Sequence, residues 1–257
     1  NRRLVVAKRG DLRKSSDNSD ADLKLRREDE FLRSLPEPAK RLFAVHAGST
    51  SCEGYFEYFT DFVHGYTASE DLFHGVATVH YTLGALESLF GDLTQRLYSF
   101  SHNSGIWSCQ EPDVLSRAIR RFDTIRSSTD PVASGWPELL AKDPININGQ
   151  SLSGWRNLES WLVKSEKVQQ ALRTTRQELC HGDLILDDIV SLPQSRQQVL
   201  IDPNGDAKSR LCDVSKIYLS TLSFYEMFKY DRFACWRDAT GLWLQLPDEP
   251  VVGSIGE

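Results

Sequence analysis

Three acidic residues, and the way the chain must turn to unite them, constrain this sequence more than any average over it. His181-Gly182-Asp183 opens a loop-like run, Asp188 follows five residues later, and Asp202 comes fourteen residues after that. Between the last two, Ile189 to Leu192 and Gln198 to Ile201 are short apolar segments of strand character, and the polar residues between them read as a hairpin connection. Such a hairpin returns Asp202 to the end from which Asp188 left. Pro203-Asn204-Gly205 then continues as a turn sequence.

Carboxylates grouped in this way suit phosphoryl transfer from ATP. That reaction needs one carboxylate beside the acceptor hydroxyl, to orient it and take its proton. It also needs oxygen ligands that hold Mg²⁺ against the triphosphate. Asp183 is the candidate for the first role, and Asp188 and Asp202 are candidates for the second. His181 would brace the loop by hydrogen bonding. Asp187 adjoins Asp188 and allows a second register, but reads better as an exposed loop acid.

His181 to Ile189 resembles the HGDLxxxN loop of the aminoglycoside phosphotransferase and choline kinase superfamily. Ile201-Asp202-Pro203-Asn204-Gly205 resembles its following ID-x-x-G segment, and Asp213-Val214-Ser215-Lys216-Ile217 is similar to its D-L-A-K-L stretch. Upstream, Leu25 to Leu32 is similar to the family's LRREaexL helix, and Asp61 to Thr67 to its lobe connector. The details look closest to phosphotransferase-like proteins of bacterial capsule and polysaccharide loci. The resemblance implies a protein-kinase-like α+β fold with a small antiparallel sheet lobe, residues 1–66, and a larger helical lobe, residues 67–257. It implies that Lys8 contacts the α- and β-phosphates and that Glu28 holds Lys8, with Glu30 as the fallback. Thr60, Asp61 and Phe62 would form the hinge that meets the adenine, and Asp213 would support the catalytic loop.

Two departures qualify it. Asp188 stands where the family has a metal-ligating Asn, which adds a negative charge beside Asp183 and Asp202. The Gly-rich hairpin that covers the phosphates has no counterpart before Lys8. The sequence opens on Asn1 and reaches strand character at Leu4-Val5-Val6-Ala7, so the expectation is a longer parent chain. The remainder would hold at least a strand-turn-strand, and a fused preceding domain is compatible with it.

Elsewhere the pattern predicts a helix over Asp22–Leu35, stopped by Pro36, and strands over Arg41–Val45 and Gly54–Val63. Apolar spacing near 3.6 predicts helices over Ser69–Phe100, Asp113–Ser128, Leu152–Arg176 and Cys212–Tyr230. Lys8 also fits a strand-edge lysine facing water, and Glu28 lies in a charged run of the kind that forms solvated helix faces. Trp155 and Trp161 fit core positions of an amphipathic helix better than a sugar platform.

Thirty basic and thirty-six acidic residues give a net charge of −6, the wrong sign for a general nucleic-acid binder. No apolar run is long enough to span a membrane. The five cysteines lack CxxC spacing and read as buried thiols of a reducing cytoplasm. The expected activity is transfer of the γ-phosphoryl of ATP, with Mg²⁺, to a hydroxyl of a small molecule such as a sugar or amino sugar. The alternative is a catalytically silent kinase-like module. A protein kinase is the weaker reading, because no A-P-E segment follows Asp202.

Overall fold

The computed structural model describes residues 4–11, 19–52, 54–73, 78–100, 119–120, 122–127, 138, 141–171, 178–193, 195, 197–204, 209–222, 225–238 and 241–245. The chain is a mixed α+β protein that divides into two compact units. One comprises residues 1–103, 177–226 and 248–257, and the other residues 104–176 and 227–247.

The first unit begins with a three-stranded antiparallel sheet of order β1-β3-β2, formed by β1 (Val5–Asp11), β2 (His46–Cys52) and β3 (Tyr55–Asp61). The aromatic run of β3 makes it the central strand. Lys8 of β1 pairs with Tyr58, and Phe56 and Tyr58 turn inward while their neighbours stay partly exposed. Gly54, at φ 92°, supplies the positive dihedral of the tight β2–β3 turn. Helix α1 (Ser19–Ser34) packs on this sheet. Phe31, Leu32 and the following Leu35 are buried, and Pro36 ends the helix and caps the single-turn α2 (Glu37–Lys40).

The strand expected over Arg41–Val45 is corrected. That segment is a turn that contributes one parallel bridge, Phe43 to Leu200, flanked by hydrogen bonds from Ala44 N–H to Leu200 O and from Leu200 N–H to Leu42 O. Its apolar residues are core residues, since Leu42 and Phe43 are each 3% exposed, and their burial mimics a strand pattern. The true strand is β2, whose His-Ala-Gly-Ser-Thr-Ser-Cys sequence carries little strand propensity. It exists because β3 offers it a hydrogen-bonding edge.

The helix expected over Ser69–Phe100 is resolved into α3 (Ala68–Phe73) and α4 (Val79–Arg96), the latter capped by the Thr78 hydroxyl accepting from Tyr81 N–H. Leu89, Leu93 and Leu97 form its buried stripe, each at 1% exposure or less. Full burial of each contributes roughly 1.5–3 kcal/mol. They join Leu184, Leu186, Ile189 and Leu200 in one core. The expected hairpin is present as β7 (Ile189–Ser191) and β8 (Gln198–Leu200), with β4 (Tyr66–Thr67) pairing to β7. The long C-terminal helix is two pieces.

In the second unit, β5 (Ile145–Ile147) and β6 (Gln150–Leu152) join β9 (Ala234–Arg237) and β10 (Leu242–Gln245) in the order β6-β5-β10-β9. Asn148 and Gly149, at φ 53° and 74°, form the β5–β6 turn. The helix expected over Leu152–Arg176 appears as α5 (Trp155–Lys164) and α6 (Glu166–Ala171). Trp155 stacks on Phe122, but Trp161 is 57% exposed, and α5 has no buried residue; the expected core role of Trp161 is corrected. Of the expected Asp113–Ser128 helix, residues 119–120 and 122–127 are described; 119–120 and 122–126 are helical and 127 is a turn. Trp107, Trp136, Cys109 and Gly205 lie outside the described residues. The burial expected for the cysteines holds for Cys180 alone among the four described; Cys52 and Cys235 are exposed and Cys212 is half-buried.

The two C-terminal helical pieces are α7 (Arg210–Leu222) and α8 (Tyr225–Lys229).

Candidate functional site

The site is assembled entirely from elements of the first unit. Lys8 lies on β1, opposite Tyr58 of the central strand, and reaches two carboxylates. Its Nζ is 2.9 Å from Glu28 Oε2 and 2.6 Å from Asp202 Oδ1. It is not a lysine facing water. Glu28 is not on a solvated helix face either, being 2% exposed, and the Tyr58 hydroxyl donates to it at 2.6 Å. Burial works against the Lys8 ammonium, but Asp202 and Glu28 outweigh it and hold its pKa above the usual value. Burial and Glu28 push the Tyr58 phenol far up, so it remains a donor.

The 181–188 loop is pinned by α7. Asp213, fully buried, accepts from the backbone N–H groups of His181 and Gly182 and from the Tyr98 hydroxyl. Burial raises its pKa to about 6 against these three hydrogen bonds. Two turns further along, the buried Ser220 hydroxyl accepts from Leu186 N–H at 3.3 Å. Gly182 sits at φ 84°, a dihedral that favours glycine.

His181 is fully buried and stacks on Phe43 with ring centroids 5.9 Å apart. Its Nδ1 accepts from Asp183 N–H at 3.3 Å, which makes Nε2–H the donor to Ile201 O at 2.7 Å. Burial lowers its pKa to about 4, so the ring is neutral and serves as a brace. It ties the Asp183 loop to the strand end that carries Asp202.

The hairpin works in the same direction. Ile201 N–H donates to Asp188 O at 3.0 Å, holding the two chain segments together. Asp202 is a non-glycine residue at φ 57°, an uncommon dihedral that leaves its side chain half exposed toward Lys8. Asp188 lies on a 3₁₀ turn (Leu186–Asp188). Burial, then repulsion from Asp202 and Asp183, raises its pKa to about 8. Asp187 is half-buried rather than exposed.

Asp183 itself is one-third exposed, and Lys216 Nζ lies 2.6 Å from its Oδ1. Neither Lys216 nor Tyr58 was assigned a role from sequence. The spacing of Asp213 and Lys216, one helical turn apart, was the available signal for Lys216. Alternation along β3 was the signal for Tyr58.

Thr60, Asp61 and Phe62 lie at the end of β3, and the Lys8 cluster does not include them. The amides of Asp61 and Phe62 donate to Val45 O and Leu4 O, so those two N–H groups are committed to the sheet. Glu30, the fallback for Glu28, is exposed. A cavity of about 400 Å³ is lined by Leu32, Leu35, Phe43 and His46 among others, and its lining contains none of the acidic triad.

Among the described residues, no group of three or more His, Cys, Asp or Glu side chains could hold a metal ion by itself. The pair Asp188 and Asp202 is a different kind of donor set: oxygen-only, mutually repelling and incomplete. That suits Mg²⁺, which binds through one or two carboxylates and completes its shell with phosphates and water. No described helix is long and apolar enough to cross a membrane. No protein-family model matches the chain, and no curated protein matches it.

Proposed function

We propose that this chain is an ATP-dependent phosphotransferase of kinase-like fold that acts on a hydroxyl of a small molecule, such as a sugar or amino sugar, in the cytoplasm. The observation that carries the reading is the convergence of Lys8, Glu28 and Asp202 in one ion-paired chain, with Asp188 beside it, where burial, then Asp202 and Asp183, raise its pKa. Two lysines facing grouped carboxylates match a ligand that is itself a polyphosphate with a divalent cation.

In this reading Lys8 holds the α- and β-phosphates, and Glu28 with Tyr58 holds Lys8. Asp188 and Asp202 would hold Mg²⁺, which supplies charge neutralisation on the phosphates. The acceptor hydroxyl hydrogen-bonds to Asp183. Its oxygen forms a bond to the γ-phosphorus as the bond to the β,γ-bridging oxygen breaks. ADP departs with that electron pair, and the hydroxyl proton passes to the Asp183 carboxylate. His181, held neutral, orients the loop and takes no proton.

A thermal-shift titration with MgATP, followed by an ATP-consumption assay over a panel of sugars and amino alcohols, tests the reading. Stabilisation by MgATP and turnover with one panel member are expected. Absence of both would overturn it. One observation favours a second reading, a silent nucleotide-binding module: Asp188 adds a third carboxylate whose charge the site resists. Stabilisation without turnover across the panel would select that reading.

A further inference from the structure

The α7 face that pins the catalytic loop does so in register. Asp213 meets His181 and Gly182, Lys216 meets Asp183, and Ser220 meets Leu186. Two of these three contacts are buried and structural. The third differs, because Lys216 is 38% exposed and Asp183 33%, so a ligand can reach both. An ion pair so accessible adds little stability. Its placement therefore calls for an explanation other than holding the loop.

Charge supplies one. The described cluster has three carboxylates, Asp183, Asp188 and Asp202, and Lys8 is already shared between Asp202 and the buried Glu28. With Lys8 as the sole cation, the acceptor end of the site would face an incoming polyphosphate with unrelieved negative charge. Lys216 stands at that end. Resting on the phosphotransferase reading above, we infer that Lys216 leaves Asp183 when nucleotide binds and contacts the transferred γ-phosphoryl group, while Lys8 serves the α- and β-phosphates.

Geometry requires the two positions to be close. The attacking oxygen must lie within hydrogen-bond reach of Asp183, about 2.6–3.2 Å, and about 3–3.5 Å from the phosphorus. An ammonium 2.6 Å from Asp183 on a flexible four-carbon stem thus reaches the equatorial γ-oxygens by a small rotation. Charge develops on those oxygens during transfer, so a cation there contributes to the reaction as well as to binding. Its departure also frees Asp183 to accept from the acceptor hydroxyl.

The test separates this role from the general reading. Calorimetric affinities for MgADP and for the non-hydrolysable triphosphate MgAMPPNP are measured on the wild-type chain, Lys216→Met, Lys216→Arg and Lys8→Met. Lys216→Met should leave MgADP affinity within about twofold and weaken MgAMPPNP about tenfold or more, with Lys216→Arg recovering most of the loss. Lys8→Met should weaken both nucleotides. Lys216→Met with unchanged affinity for both, or with an equal loss for both, overturns the γ-phosphoryl contact while leaving the phosphotransferase reading in place. A wild-type chain that binds neither nucleotide overturns both. Lys216→Arg guards against a folding defect in Lys216→Met: if Lys216→Arg binds MgADP normally and discriminates no better than Lys216→Met, the inference also fails.

Discussion

The Tyr58 hydroxyl donates to Glu28 at 2.6 Å, on the same carboxylate oxygen, Oε2, that receives Lys8. The strand partner of Lys8 thus also holds its counter-ion in place. Lys8 is fixed from two directions, by sheet register and by the helix.

Glu28→Ala should cost about 2–4 kcal/mol of unfolding free energy, because it strands a buried phenol and leaves Lys8 with Asp202 alone. Glu28→Gln keeps an acceptor and should cost less. Tyr58→Phe should cost about 1 kcal/mol. Urea denaturation measures all three. MgATP calorimetry on the folded variants should show weaker binding for Glu28→Gln than for Tyr58→Phe, because only the former removes the charge that holds Lys8.

If Asp183 takes the hydroxyl proton as proposed, Asp183→Ala should lower ATP-dependent phosphorylation by at least about 10²-fold. The side chain is a third exposed and anchors no buried group. Circular dichroism and the melting temperature should therefore stay close to wild type. Wild-type turnover in this variant would remove Asp183 from the mechanism.

Asp188 predicts a pH dependence. Its carboxyl titrates at about 8 in the folded chain against an ordinary 3.8. Between those values the folded state holds a proton that the unfolded state has lost, so unfolding free energy falls as pH rises through this window and levels off above it. Asp188→Asn should remove that part of the slope. It should be more stable than wild type at pH 8 by on the order of 3 kcal/mol, with the gap closing toward pH 4. Millimolar Mg²⁺ at pH 8 should stabilise wild type more than the variant. Denaturant titrations at several pH values would detect both effects, and parallel pH curves for the two chains would contradict the assignment.

Gly65→Ala tests a packing relation. An added Cβ would collide with the Ser191 backbone carbonyl and with Val190, where β4 approaches β7. Backbone cannot yield as a flexible side chain would. A loss of about 2–4 kcal/mol is expected in urea titrations, with no change in nucleotide preference. Alanine tolerated without loss would mean that the β4–β7 pairing adjusts freely.

What was legible in the sequence followed from strong local signals. The hairpin of β7 and β8 showed because Ile189 to Leu192 and Gln198 to Ile201 combine apolar character with a polar break. Helix α1 showed because Phe31, Leu32 and Leu35 share a face and Pro36 stops the pattern. Strand β2 was illegible, because His46 to Cys52 owes its conformation to a neighbour rather than to its own side chains. The β5–β6 hairpin is hard to read from sequence although Asn148-Gly149 is a strong turn signal, because single isoleucines on short strands carry no periodicity. Within the site, Asp183, Asp188 and Asp202 are identifiable by spacing. Lys216 is not, since its meaning depends on which loop residue lies beside its helix.

The first unit is interrupted in sequence, and this has a consequence for synthesis. Tyr98 and Asp213 are separated by 115 residues, and Ser69 meets Glu226 across 157. At ribosomal rates of about 5–20 residues per second, the partner of Tyr98 emerges roughly 6–23 s after it. Lys8 and Glu28 can pair early, but the loop that carries Asp183 lacks its contacts to Asp213, Lys216 and Ser220 until α7 leaves the exit tunnel. In the phosphotransferase reading, a nascent chain would become competent to meet a nucleotide only once α7 has emerged. Nascent and truncated chains would carry the Lys8–Glu28 pair without the α7 contacts that hold Asp183.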